Sequence, residues 1–312
     1  MRAMILAAGF GTRLAPITES IPKPLLPVIG VPNIIRTIYR LKAAGISEMV
    51  VNTHWLPEML KHRLGDGAAF GVSIAYSDEP VLLGTGGGIR QAMALLGDDT
   101  FIVINGDALF APDYRAAVAY HKAKNALVTL LVREDSVIES FGAVGVNADG
   151  RVERLVYGGK DGRHLKNFMF AGVHIVEPQL ASLLPESGCI VRSTYIPMVN
   201  RKEAILAMPT EGYFCDLGTP SRYLSANIEL VTGKTRIDGI YPPESGVYLG
   251  KGVYVDARAV LGPGTVLSDG VRVMGAVHLE RVVVLENAIV DMSLSDAICT
   301  SDGTVVNAIF SR

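Results

Sequence analysis

The sequence predicts an α/β fold: a mixed, mostly parallel β-sheet with helices on both faces, followed by a short left-handed parallel β-helix. Three observations predict it. Short apolar runs alternate with helix-period segments up to about residue 133. Between about 142 and 216 the rhythm turns to hairpin-like strands. Past Gly239, small and β-branched residues recur every six positions.

In the first stretch AMILAA, MVVNT, VSIAYS, FIVING and ALVTLLV read as strands, several of them apolar throughout, as a sheet covered on both faces requires. NIIRTIYRLKAAG, PEMLKHRLG, GGIRQAMALLG and PDYRAAVAYHKAK read as helices between them. Strands alternating with helices of this length imply βαβ units. Next, FGAVGVN and GRVERLV flank Ala-Asp-Gly as a hairpin, and FMFAGVHIV is a further strand before the short helix EPQLASLLP. GYFCDLG then leads as a last strand into the helix TPSRYLSANIELVTG.

The six-residue series runs Val253, Ala259, Thr265, Val271, Val277, Val283, Ile289, and Val255, Leu261, Leu267, Val273, Leu279, Leu285 keep the same period. Hexapeptide periodicity marks a parallel β-helix in which three hexads make one triangular coil. A division follows: 1–236 as the main domain and 237–312 as the β-helix tail. Solenoid ends need capping or a partner, so a homo-oligomer joined through this tail is expected.

Composition narrows the function. Twenty-nine basic residues against 31 acidic ones give a net charge of −2, which argues against nucleic acid as a partner. Cations for an anionic ligand must therefore be local. No segment is apolar enough to span a membrane, and none has the pattern of a secretory signal. Cys189, Cys215 and Cys299 form no CxxC spacing, which fits a reducing, cytoplasmic compartment.

The chemistry-bearing stretch is LAAGFGTRLAPITESIPKPLLPV, residues 6–28. Leu6, Ala7 and Ala8 close the first strand, and Gly9 and Gly11 permit backbone N–H groups to approach phosphate. The turn lacks the third glycine of a dinucleotide fingerprint and the Gly-Lys-Ser/Thr of a Walker loop. Thr12 and Arg13 place a hydroxyl and a forked cation at the same mouth, and Pro22 and Pro24 stiffen the backbone around Lys23. Asp107 and Asp216 each follow a strand, where α/β sheets bind ligands, although each also suits a turn or cap. Thr219 is the candidate cap of the helix after Asp216.

These segments together resemble the sugar-1-phosphate nucleotidyltransferases, or nucleotide-sugar pyrophosphorylases. The likeness rests on LAAGFGTRLAPITESIPKPLLPVIGVPNI, on GTGGGI at 84–89, on Asn-Gly-Asp at 105–107, on FAGVHIVEP and on YFCDLGTPSRYLSAN, and covers about residues 1–233. It implies a Rossmann-like core and a reaction that joins a nucleoside triphosphate to a sugar 1-phosphate. It further implies Arg13, Lys23 and Asp107 as catalytic residues, with Mg²⁺ held by Asp107 and Asp216. Nucleotide contacts would come from Leu6, Ala7, Ala8, Gly9, Gly11 and Thr12 and from Gly84, Thr85, Gly86, Gly87 and Gly88. Sugar contacts would come from Gly142, Lys160, Ala171 and Gly172.

The reaction suits these residue types. A sugar phosphate is already an anion, so catalysis calls for cations, positioning and a metal rather than a general base. The Glu-Lys-Pro motif of many family members is absent from RLVYGGKDGRHLKN, which leaves Lys160 and Lys166 as alternatives for the sugar phosphate. The chain looks closest to mannose-1-phosphate guanylyltransferase-like and N-acetylmuramate-1-phosphate uridylyltransferase-like members. GTP with mannose 1-phosphate is the favoured pair, with a UTP-dependent uridylyltransferase as the alternative. A non-catalytic nucleotide-sugar-binding subunit is the alternative from another class.

Overall fold

The computed structural model describes residues 1–135, 143–156 and 165–308. It divides into two compact units. The first takes Met1–Gly9, Thr37–Gly106 and Pro112–Gly212, and the second takes Phe10–Arg36, Asp107–Ala111 and Tyr213–Arg312. This grouping follows packing rather than chain order, and it runs across the 236/237 boundary that the hexapeptide rhythm marks.

The first unit is built on a nine-stranded sheet. In chain order its strands are β1 (Arg2–Leu6), β2 (Glu48–Thr53), β3 (Ser73–Asp78), β4 (Phe101–Asn105), β5 (Val128–Arg133), β6 (Ala143–Val146), β7 (Val152–Val156), β8 (Lys166–Val176) and β9 (Ile205–Pro209). The order across the sheet is β7-β6-β8-β4-β1-β2-β3, with β5 beside β8 and β9 beside β5. Strands β4, β1, β2 and β3 run parallel, as their βαβ connections dictate. Consecutive residues Ala3, Met4 and Ile5 are fully buried, so both faces of β1 are covered. On one face, helix Gly84–Leu96 packs Ile89, Ala92 and Leu96 against Met4, Val50 and Val103.

The eleven-residue β8 is antiparallel to three strands, meeting β5 along one side and β6 then β4 along the other. Its register against β5 shifts between Phe170 and His174, which re-aims the side chains there. Elements that escape the sequence patterns include β9 and a π-helical turn, Val191–Tyr195, whose Tyr195 is fully buried.

In the second unit, Ala108–Phe110 pairs antiparallel with Phe214–Asp216, and Thr219 caps helix Pro220–Val231 by accepting a hydrogen bond from the Arg222 amide. That helix packs Leu224 and Leu230 on Val266, Val283 and Ile298 of the β-helix. The coils keep the expected length at first: Tyr248 pairs with Val266, Tyr254 with Arg272 and Val260 with His278, each eighteen residues on. The next coil is one residue short, since Val266 pairs with Val283 and Arg272 with Ile289. The slip falls near Arg281, whose φ of 53° makes a tight corner.

One expectation is therefore corrected. Ile289 does not continue the inward series; it is 59% exposed, while Ala288 and Val290 on either side are buried. A final antiparallel strand, Val305–Asn307, pairs with Leu294–Cys299. Among the described residues no helix is long and apolar enough to cross a membrane.

The slip is directly testable. Val290→Ala is expected to cost about 1–3 kcal/mol in urea unfolding, and Ile289→Ala less than about 0.5 kcal/mol. The reverse ranking would restore an uninterrupted hexad.

Candidate functional site

The second unit gathers four of the charged residues singled out by sequence. Lys23 sits in the short 3₁₀ turn Lys23–Leu25, entered from Pro22 at φ −65° and closed by a Leu25 N–H to Pro22 carbonyl bond of 2.8 Å. Its stem is buried and only 6% of the side chain is exposed. Nζ donates to Asp107 Oδ2 at 2.6 Å and to Asp216 Oδ1 at 3.3 Å. The antiparallel pairing that sets Ala108 opposite Asp216 brings the two carboxylates to this one ammonium. Asn33 Nδ2 donates to the Ala108 carbonyl at 3.0 Å and pins the same strand.

Asp216 is 11% exposed and both its oxygens are engaged. Oδ2 accepts from Arg222 Nη1 at 3.1 Å and lies 3.7 Å from Arg13 Nη2. Three cations thus surround two carboxylates, so the cluster carries a positive balance suited to phosphate. Arg222 was not anticipated; its signal was its place in the first turn of a Thr-capped helix directly after Asp216. The space around Asp216 is used fully. A Cβ on Gly218 would come within 2.7 Å of Asp216 Oδ2 and 2.8 Å of Arg13 Nη2. Next door, burial pushes the Cys215 thiol up to about 11, which keeps it out of nucleophilic chemistry at neutral pH.

The donor set fits a hard divalent ion. Asp107 and Asp216 already share one positive charge, the Lys23 ammonium, which stands in for a bridging cation. Among the described residues no group of three or more His, Cys, Asp or Glu side chains comes together. Two carboxylates suit Mg²⁺, which completes its shell with water and substrate phosphates.

The other predicted segments lie in the first unit, a compact body of its own. The Ala7 amide donates to Asn52 Oδ1 at 2.8 Å, and Asn52 Nδ2 donates to Glu79 Oε1 at 2.7 Å. Glu79 Oε2 then accepts from the Leu83 amide at 2.8 Å, just before helix Gly84–Leu96. Buried Glu79 and Asn52 so tie the turn after β1 to the start of the Gly-rich helix. A Cβ on Gly88 would come within 2.5 Å of Glu79 Oε1, which explains glycine there. Gly84, Gly86 and Gly87 press on the 185–188 segment, where the Gly86 amide donates to the Gly188 carbonyl at 2.8 Å. These glycines have a packing role, and Gly86, Gly87 and Gly88 are buried, whereas Gly9 borders open space.

A cavity of about 240 Å³ also lies in the first unit. Leu130, Val144, Leu155, Phe170, Ile190 and Val191 line it, together with Thr85, Asn105, His174 and Cys189. Leu6 and Gly172 reach it too, so Leu6, expected at the nucleotide, sides with residues expected at the sugar. Ala171 is buried and does not line it. Gly142 and Lys160 lie outside the described residues. Lys166 instead forms an ion pair with Glu134 and lies 5.1 Å from the Phe168 ring centroid. Exposed Gly9 and half-buried Gly11 lie on the turn after β1, and Thr12 opens a short 3₁₀ helix that ends at Leu14.

His174 shares a hydrogen bond through Nδ1 with the Tyr195 hydroxyl, and burial holds its imidazole down to about 3. A histidine in the unfolded chain titrates near 6.5. As pH falls from about 6.5 to about 3, the unfolded chain gains a proton that the folded chain refuses. The stability is fully present above that window and is lost across it. The slope of unfolding free energy against pH from this group is about 1.4 kcal/mol per pH unit within the window. Urea titrations at pH 6, 5 and 4 are expected to show a shallower slope in His174→Gln by about that amount. An unchanged slope would mean that His174 is charged in the folded state.

Comparison with known proteins identifies the family. The nucleotidyl transferase family model matches residues 2–233. The mannose-1-phosphate guanylyltransferase of Mycobacterium tuberculosis is 30% identical over 300 residues, which cover 89% of this chain and 83% of that protein. The N-acetylmuramate alpha-1-phosphate uridylyltransferase of Neisseria meningitidis serogroup B is 38% identical over 232 residues, covering 72% of this chain and 96% of that one. Among solved structures, a candidate glucose-1-phosphate thymidylyltransferase from Bacillus anthracis, in complex with sucrose, superposes with a TM-score of 0.65 at 25% identity. That superposition covers 73% of this chain and 94% of the other. With more than half of its length matched from the first strand to the helix after Asp216, the chain belongs to the nucleotidyl transferase family.

Proposed function

We propose that the protein joins a nucleoside triphosphate to a sugar 1-phosphate, giving a nucleoside diphosphate sugar and pyrophosphate. The observation that carries this reading is the cluster in which Arg13, Lys23 and Arg222 face Asp107 and Asp216. A phosphate oxygen of the sugar 1-phosphate attacks the α-phosphorus in line. The bond from that phosphorus to the α–β bridging oxygen breaks, and pyrophosphate leaves with the electron pair. The attacking oxygen is already ionised, so no residue needs to take a proton from it.

The chain's own residues supply charge and position. Arg13, exposed and forked, suits the β- and γ-phosphates, and Lys23 suits the charge that develops on the leaving oxygen. Arg222 holds Asp216 in place. Asp107 and Asp216 are the residues we assign to Mg²⁺, which when bound neutralises phosphate charge and orients the triphosphate. The open turn at Gly9, with Gly11 and Thr12 after it, is read as the phosphate loop. Gly84 and Thr85, the half-exposed start of the Gly-rich helix, are read as the base contact.

GTP with mannose 1-phosphate, the favoured pair by sequence, is the chemistry named for the M. tuberculosis relative. Uridylyl transfer to N-acetylmuramate 1-phosphate is that named for the N. meningitidis relative, and one observation favours its sugar: the apolar lining of the cavity. We assign the reaction to residues 1–236 and assembly as a homo-oligomer to 237–312. Exposed Tyr254, Val260 and Ile289 on the β-helix support that assembly role. Three cysteines without CxxC spacing fit the cytoplasm.

Pyrophosphate release over a matrix of triphosphates and sugar 1-phosphates tests the reading. One pair is expected to turn over with Mg²⁺, and Asp107→Asn to lower kcat by about 10²–10³-fold. No release from any pair by folded protein would favour the non-catalytic binding subunit. Full activity in Asp107→Asn would remove the metal assignment.

A further inference from the structure

Resting on that reading, we infer that Lys23 is a built-in occupant of the divalent-ion position. The free protein then resists a bare divalent cation and admits one only together with a polyphosphate anion. Three observations within the second unit carry this inference.

The first is how the ammonium is held. Nζ lies 2.6 Å from Asp107 Oδ2 and 3.3 Å from Asp216 Oδ1, on a side chain that is only 6% exposed. A lysine whose one task was to meet phosphate from solvent would need no such cover. Its stem is also packed from the turn after β1. A Cβ on Gly11, whose φ is 68°, would come within 3.3 Å of Lys23 Cβ and 3.0 Å of Thr18 Cγ2. Thr18 Oγ1 donates to the Gly11 carbonyl at 2.9 Å and closes that loop. The loop read as the seat of the triphosphate and the lysine between the carboxylates therefore share one packed surface.

The second is the balance of charge. Arg13, Lys23 and Arg222 outnumber Asp107 and Asp216. A bare divalent cation would have to displace an ammonium whose described ion pairs are with those two carboxylates alone. Stripping a buried charge of its partner is strongly unfavourable. A polyphosphate alone meets the reverse problem, since drawing Lys23 away leaves two carboxylates facing each other. When both ligands arrive, the ammonium passes to phosphate and the carboxylates pass to the ion, and no buried charge is left unpaired. Each ligand then raises the affinity for the other by the same factor.

The third is the contrast between the two arginines. Arg13 is 63% exposed and stands 3.7 Å from Asp216 Oδ2. Arg222 donates to the same oxygen at 3.1 Å from the first turn of the Thr219-capped helix. Arg222 thus keeps Asp216 oriented through Oδ2 while Lys23 leaves Oδ1, which makes Oδ1 the oxygen to be exchanged.

The test is binding of Mn²⁺ alone to the folded, nucleotide-free chain, read from the EPR signal of the free ion. Lys23→Met removes the charge and keeps an unbranched stem. It is expected to bind Mn²⁺ about 10–100-fold more tightly than the wild type, the range of a typical coupling between ligands. Mn²⁺ is also expected to raise the Tm of Lys23→Met and to leave that of the wild type nearly unmoved. Adding Asp216→Asn to Lys23→Met is expected to abolish the gain. Equal or weaker binding by Lys23→Met would overturn the inference, as would a gain that survives Asp216→Asn.

Should Lys23→Met fail to fold, the wild type decides. Mn²⁺ held by the wild type alone as tightly as with a non-hydrolysable triphosphate overturns the inference. Tighter binding with the triphosphate, beyond its own chelation of the ion in buffer, supports it. These readouts need no turnover. A gain of ion binding in Lys23→Met with no reaction from any substrate pair leaves the role of Lys23 standing, and the nucleotidyl-transfer reading falls alone. Turnover by the wild type with no gain in Lys23→Met removes the role of Lys23 and leaves the reaction.

Discussion

The charged half of this protein depends on one constraint: Asp107 and Asp216 must face each other, and like charges can do so only around a cation. In the structure that cation is the Lys23 ammonium, held by a buried stem between two prolines. A pair this sheltered differs from a surface salt bridge. Removing one partner of a buried ion pair is strongly destabilising, about 3–5 kcal/mol, because the remaining charge loses its compensation. Asp107 is 41% exposed, which tempers that cost and leaves one side open to a ligand. Everything nearby serves the same balance. The short antiparallel ribbon sets the spacing, Arg222 fixes the second oxygen of Asp216, and Gly218 leaves room for Arg13.

The first unit solves a different problem, that of bringing backbone close together. The turn after β1 and the start of the Gly-rich helix are linked by Asn52 and Glu79, a buried amide and carboxylate whose described partners include backbone amides at each end. The glycines at 84–88 are required first by this packing and by the 185–188 segment. A ligand would then meet a surface already set by the protein. The same unit devotes the bulge region of β8 and a π-helical turn to an apolar cavity, and both are local departures from regular geometry of the kind found at functional sites.

Much of this was legible in the sequence, for identifiable reasons. Apolar strands with helices between them fixed the parallel core, since the doubly buried β1 and β4 could not be amphipathic. Hexapeptide spacing located the β-helix, but it could not reveal the coil that is one residue short, because Ile289 and Val290 are both acceptable inward residues. Pro-Lys-Pro and the Asp residues after strands pointed to the charge cluster. Asn105 and Glu79 were missed because each depends on neighbours distant in sequence: Glu79 answers Ala7 through Asn52, and Asn105 faces a cavity built by seven other segments, whereas Arg222 lies only six residues from Asp216. The glycine run was read toward a ligand, when much of its cause is the 185–188 segment about a hundred residues later.

The most direct test of the account is where a divalent ion binds when triphosphate is present. Anomalous diffraction from crystals grown with Mn²⁺ and a non-hydrolysable triphosphate should place the metal about 2.1 Å from carboxylate oxygens of both Asp107 and Asp216. Lys23 Nζ should then have moved from the carboxylates to phosphate. A metal held by phosphates alone, with Lys23 still bridging Asp107 and Asp216, would contradict it.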